Sequence, residues 1–88
     1  MSRSVSNLST GILSVIDASE ILGVSPPTVR RLFDDDKLPG GYRLPNSRER
    51  RIPAPGVMSY MISNGMKPPL KLLDYVSAYR QHFGSASA

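Results

Sequence analysis

Residues 13–39, LSVIDASEILGVSPPTVRRLFDDDKLP, decide the fold, because they carry the start and stop signals of two short helices in immediate succession. Ser14 reads as a helix N-cap, and Asp17 stands at the third helical position, completing a capping box in place of the usual Glu or Gln. The first helix then runs from about Val15 to Leu22, with Ala18, Ile21 and Leu22 on one face at helical spacing. Gly23 ends it by supplying the left-handed residue that a helix C-terminus favours, and Val24 is expected to turn back into the core. Directly afterwards Ser25 caps a second helix, whose first position is filled by Pro26, where a missing N–H costs nothing. Val29, Leu32 and Phe33 make the buried face of this helix and leave Arg30 and Arg31 mostly on the other side. Asp34, Asp35 and Asp36 stand where the helix dipole disfavours acids. They predict an early, frayed and solvated end, with Asp36 as its left-handed cap.

Beyond the turn Lys37-Leu38-Pro39-Gly40, residues 41–52, GYRLPNSRERRI, read as a basic hairpin. Its strands are expected at Gly41–Leu44 and Arg48–Ile52, with Pro45-Asn46-Ser47 as the loop and Tyr42, Leu44 and Ile52 as its apolar residues. A third helix should start near Pro53–Pro55 and run to about Asn64, with Val57, Met58, Met61 and Ile62 as its apolar stripe and Gly65 as its stop. Pro68-Pro69 separates it from a last helix, Leu70 to Phe83, in which Leu72, Val76, Tyr79 and Phe83 recur at helical spacing and Leu73 widens the stripe. That stripe is expected to fold back on the third helix, because residues 12–64 alone offer few large side chains. Ile12 and Leu13 form either a short strand or a hydrophobic anchor. The expected organisation is a disordered arm at 1–11, a core at 12–66, an amphipathic helix at 67–83 and a disordered tail at 84–88. The class is mainly α, about four helices with a two-stranded β wing.

Bulk composition narrows the function. Eighty-eight residues make one small domain that buries only about 60–65% of its unfolded surface. There is no cysteine, hence neither a disulfide framework nor a thiolate metal site. His82 alone supplies no catalytic pair, and no Ser/His/Asp set, metal-ligand spacing or Gly-rich phosphate loop is present, so neither an enzyme nor a metal or other cofactor is expected. No apolar run is long enough to span a membrane, and residues 1–11 lack the apolar stretch of a signal peptide, so the expected compartment is the cytoplasm. The net charge of +4 suits a polyanion, and its distribution says more than its total. Arg43, Arg48, Arg50 and Arg51 crowd the hairpin against Glu49 alone.

Four stretches carry a family resemblance: L-S-V-x-x-A-S-E-I-L-G-V-S at 13–25, T-V-R-R-L at 28–32, K-L-P-G at 37–40 and R-R-I-P at 50–53. In order and spacing, residues 12–64 resemble the winged helix-turn-helix group that includes MerR-type regulators and phage excisionases, and the short chain looks closer to the small, stand-alone members: excisionases, AlpA-like phage regulators and small MerR-like developmental regulators. The resemblance implies sequence-selective binding of double-stranded DNA, with the second helix in the major groove and the wing on the minor groove or backbone. It also implies a role as a transcription regulator or as an architectural factor for recombination. Two departures stand out: Pro26 occupies a position that is often polar or basic in the family, and the wing is lengthened by Pro45 and Asn46.

The candidate DNA-binding residues are Ser25, Thr28, Arg30, Arg31, Arg43, Arg48, Arg50 and Arg51. Arg30 and Arg31 match the O6 and N7 edge of guanine, against the plainer reading that they solubilise an exposed helix. Thr28 either meets a phosphate or thymine methyl or completes the cap with Ser25. Strand alternation is expected to put Arg43 and Arg51 on one face of the hairpin and Arg48 and Arg50 on the other or at the tip, with Arg48 as the minor-groove probe. The plainer reading of the four is a charged edge strand that prevents sheet pairing. A homodimer, a head-to-tail array on DNA, and contact with an integrase or the transcription machinery are compatible partners. The alternative is a protein–protein module whose last helix docks a recombinase, repressor or polymerase subunit.

Overall fold

The computed structural model describes residues 10–84; of the expected disordered arm at 1–11 and tail at 84–88, residues 1–9 and 85–88 lie outside the described residues, whereas Gly11 is buried and its carbonyl accepts from the Ala54 N–H (2.9 Å), so the ordered chain begins before residue 12. In chain order the elements are β1 (Ile12–Leu13), α1 (Val15–Leu22), α2 (Pro26–Asp34), β2 (Tyr42–Arg43), β3 (Arg50–Pro53), α3 (Ala54–Ser63) and α4 (Leu70–Phe83). Ile12 and Leu13 are a strand: the sheet is antiparallel and three-stranded, in the order β1-β3-β2, with β1 added to the two strands of the wing. Ile12 faces Pro53 and Leu13 faces Ile52, while Tyr42 faces Arg51 and Arg43 faces Arg50. The hairpin strands are shorter than their composition suggested, because Leu44 to Glu49 form an irregular loop closed by Ser47 N–H to the Leu44 carbonyl (3.1 Å).

Both strong local signals in the opening stretch are realised. The Asp17 N–H donates to Ser14 Oγ (3.1 Å), the Ser14 N–H donates back to Asp17 Oδ2 (3.4 Å), and Gly23 takes φ 73°. Val24 does not enter the core and is 37% exposed. Its N–H donates to the Ser19 carbonyl in the helix-terminating pattern, which places the small Ser19 where an apolar partner would have to stand. The end of α2 is better ordered than its acids suggested. Asp36 adopts φ 59°, and the N–H groups of Asp36 and Lys37 donate to the carbonyls of Phe33 and Leu32, satisfying the last turn.

One core joins all the elements except β2, whose Tyr42 and Arg43 are exposed. Leu13, Val29, Ile52, Val57 and Leu72 are its fully buried large side chains, with Ala18, Ile21, Leu22, Leu38, Met61, Tyr75 and Val76 around them. The last helix packs back on α3, as its stripe required, through Leu72, Tyr75 and Val76. Tyr79 is half-buried and Phe83 exposed, and on α3 Ile62 also faces solvent. Gly11 shows how closely α4 closes on the sheet. A Cβ there would stand 2.5 Å from the Tyr75 carbonyl oxygen and from Tyr79 Cβ, so only glycine lets the chain cross α4 into β1. Lys71 Nζ of α4 lies 3.7 Å from Glu20 Oε1 of α1, so α4 also lies beside α1, and the hydroxyl of Tyr75 is pushed above its ordinary 10.0 by burial and then by the carboxylates of Asp17 and Glu20.

Candidate nucleic-acid interface

The second helix presents its polar face because the opposite face is committed. Val29 is fully buried, Leu32 and Phe33 are half-buried, and Pro27, Thr28, Arg30 and Arg31 are exposed. Ser25 takes an extended N-cap conformation, but its hydroxyl does not cap a backbone N–H. It pairs instead with Thr28 Oγ1 at 2.9 Å, while the Ser25 carbonyl accepts from the N–H groups of Thr28 and Val29. With prolines at the first two helical positions, two donors that would need a cap are missing altogether. Both hydroxyls are therefore on the exposed start of the helix, joined to each other. Arg30 and Arg31 make no ion pair or side-chain hydrogen bond among the described residues, so their guanidinium donors face outward unspent.

The wing arginines divide differently from the expected alternation. Arg43 and Arg50 are opposite one another across β2 and β3, so they, and not Arg43 and Arg51, share a face. The reason is register: directly opposed residues of an antiparallel pair project to the same side of the sheet. Both guanidinium groups converge on Asp34, the last residue of α2. Arg43 Nη2 lies 3.2 Å from Oδ1, Arg50 Nε and Nη2 lie 3.3 Å from Oδ1, and Arg50 Nη2 lies 3.2 Å from Oδ2. Both also stand over the ring of Phe33, at 5.9 Å for Arg43 and 5.6 Å for Arg50. The Arg50 side chain is only 17% exposed, against 46% for Arg43. A hydrogen bond from Arg50, the largest influence, outweighs the opposing effect of burial and, with the Arg50 charge, a hydrogen bond from Arg43 and the Arg43 charge, holds the Asp34 carboxyl below its ordinary 3.8. Asp34 is thus not part of a merely solvated helix end. It ties the wing to α2.

Arg51 points to the other side of the hairpin, with Nη2 3.7 Å from Glu49 Oε1 and a buried Nε that finds no acceptor among the described residues. Arg48 lies in the exposed loop and makes no ion pair among the described residues. The structure therefore brings Arg43 and Arg50 together at the end of α2, leaves Arg30, Arg31 and Arg48 outward and unpaired, and pairs Ser25 with Thr28. Composition alone did not reveal Phe33 and Asp34 as the seat of the wing. The only available signal was an acid run next to an arginine-rich hairpin.

Among the described residues no group of His, Asp or Glu is arranged to hold a metal ion, and no helix is long and apolar enough to cross a membrane. A family model described as a helix-turn-helix domain matches residues 12–64, from β1 to the turn after α3. No curated protein and no solved structure matches the chain.

Proposed function

The chain belongs to the helix-turn-helix domain family, a DNA-binding family, and from that premise we propose that it reads double-stranded DNA sequence-selectively, with α2 in the major groove and the wing on the flanking backbone or minor groove. The observation that carries this reading is the face of α2. Val29 locks one side of the helix into the core, and Thr28, Arg30 and Arg31 stand outward, the two guanidinium groups with their donors available, beside a hairpin fastened to the same helix. Arg30 and Arg31 suit guanine edges, and Arg48, on the loop, suits a phosphate or a narrow minor groove. The Ser25–Thr28 pair opens the helix and suits a phosphate oxygen.

In this reading the protein acts without catalysis, in the cytoplasm on bacterial or phage DNA, as a small regulator or an excisionase-type architectural factor of the MerR-like and AlpA-like kind. Residues 12–66 form its DNA-binding core. Homodimers, head-to-tail arrays and contacts with an integrase or the transcription machinery are compatible with it.

The test is a footprint followed by titration of the protected duplex and of a random duplex. Alanine at whichever of Arg30 and Arg31 reads a base should cost about 1–3 kcal/mol on the protected site and relax preference at one position. Two alanine variants that both bind the site as the parent does would sink the assignment of α2.

A further inference from the structure

We propose that Asp34 is a positioning residue for DNA reading: it fixes the angle of the wing against α2 by clasping Arg50, which thereby serves as a strut and not as a DNA contact. The inference deepens the DNA-binding reading above and rests on it. Its basis is geometric. Asp34 takes three hydrogen bonds from Arg50 and one from Arg43, so a single carboxylate joins the end of α2 to both strands of the hairpin. Arg50 is gripped through both Nε and Nη2, lies against the Phe33 ring and is mostly covered. Its Nη1 donors are on a guanidinium already held in place and mostly covered, so Arg50 cannot swing out to a phosphate without abandoning these contacts. Arg43, held by one hydrogen bond and nearly half exposed, keeps donors for a phosphate without leaving the clasp. Without the clasp, the wing would be joined to α2 through the linking residues 35–41 and through the sheet, and both would let the hairpin tilt.

The sign of the effect separates this proposal from simple electrostatics. Removing an acid from a basic surface should strengthen binding to any duplex. Asp35 provides the matched control: it is the next residue, equally exposed in class, and makes no side-chain contact among the described residues. Asp34→Asn and Asp35→Asn therefore change the charge identically, and only the first breaks the clasp. Arg50→Lys is the complementary variant. It keeps the charge but replaces the rigid fork with a single ammonium.

The experiment has two arms on the full chain. In the first, without DNA, tryptic cleavage after Arg48 is timed. Asp34→Asn and Arg50→Lys should speed it about fivefold or more, as expected for a segment whose local opening has become easier, and Asp35→Asn should leave it unchanged. In the second arm, each protein is titrated against a duplex enriched by the parent from a random pool and against a scrambled duplex. Asp34→Asn and Arg50→Lys should lower the ratio of the two affinities about tenfold, while Asp35→Asn preserves it. Equal ratios for Asp34→Asn and Asp35→Asn, in a parent that does bind DNA, overturn the positioning role alone. A parent that binds no duplex overturns the DNA-binding reading itself, and the positioning role with it, whatever the cleavage rates.

Discussion

Leu72→Ala tests whether α4 is part of the core or a detachable docking helix. Leu72 is 0% exposed and belongs to the same cluster as Val57 and Ile52, which links α4 to α3 and to the sheet. Truncating such a side chain removes its transfer free energy and leaves a cavity that the surroundings only partly fill, a loss of about 2–5 kcal/mol. The whole domain, at about 0.05–0.15 kcal/mol per residue, is stable by roughly 4–13 kcal/mol. A loss of about 3 kcal/mol, within that range, therefore takes away a fifth or more of the total. In a domain of this size each kcal/mol moves Tm by about 4–8 °C, so Tm should fall by about 12–24 °C. Leu73→Ala is the internal control. It makes the same chemical change one residue later, at a side chain 41% exposed, and should cost well under about 1 kcal/mol. Urea unfolding followed by circular dichroism reads both variants. If the two behave alike, α4 does not close the core and the fold-back reading is wrong.

Three further outcomes are expected. Arg48→Ala should reduce the slope of log K against log salt by about 0.9, the value of one phosphate contact, and an unchanged slope would place the loop away from DNA. Gly56→Ala should destabilise by about 1–3 kcal/mol in urea unfolding despite the roughly 1 kcal/mol that alanine gains over glycine in a helix, because its Cβ would meet the backbone carbonyl of Pro39, which has no flexible end to yield; a more stable variant would refute the packing there. Asp34 has a carboxyl held below 3.8 in the folded state, so its contribution is complete above 3.8 and is lost as pH falls through the lowered value; carbon-detected NMR titration should find its midpoint below 3.8, and a midpoint at or above 3.8 would mean the clasp is open in solution.

How much was legible depended on the range of the physics. The Ser14 cap, the Gly23 stop and the Asp36 turn are set by residues within one helical turn of each other, and the sequence announced all three. The span of α4 was legible for the same reason, since Pro69 and Gly84 bracket it. Tyr75 is a core residue that lies outside the expected stripe. It stands three residues after Leu72 on the same helical face, yet a stripe drawn through 72, 76, 79 and 83 leaves it out. Of that stripe, Phe83 faces outward near the end of the helix. The Asp34 clasp could not be read locally, because it depends on which hairpin rung stands over the end of α2. Shifting the hairpin register by one residue would turn Arg43 and Arg50 to opposite faces, and composition does not reveal that register.

The placement of Arg50 is fixed by β3, the strand that meets both other strands and the first three helices. In β3 the four residues of R-R-I-P each meet a different neighbour: Arg50 the carboxylate of α2, Arg51 the Tyr42 rung and Glu49, Ile52 the core beside Leu13, and Pro53 the Ile12 rung and the start of α3. Ile52 is fully buried, so a one-residue shift of β3 would put Arg51 in its place in the core, and that cost fixes which side of β3 carries Arg50. The same anchoring bears on DNA reading. The loop from Leu44 to Glu49 lies outside the paired rungs, and Arg48 stands two residues from an anchored strand. Ordering an interfacial side chain costs about 0.5–1.5 kcal/mol, so a wing already fixed at both ends leaves little to be ordered when DNA is met. A chain with so small a core can therefore hold α2 and its wing in a set relation within a single copy, because the residues that fix the reading geometry are also those that fix the fold.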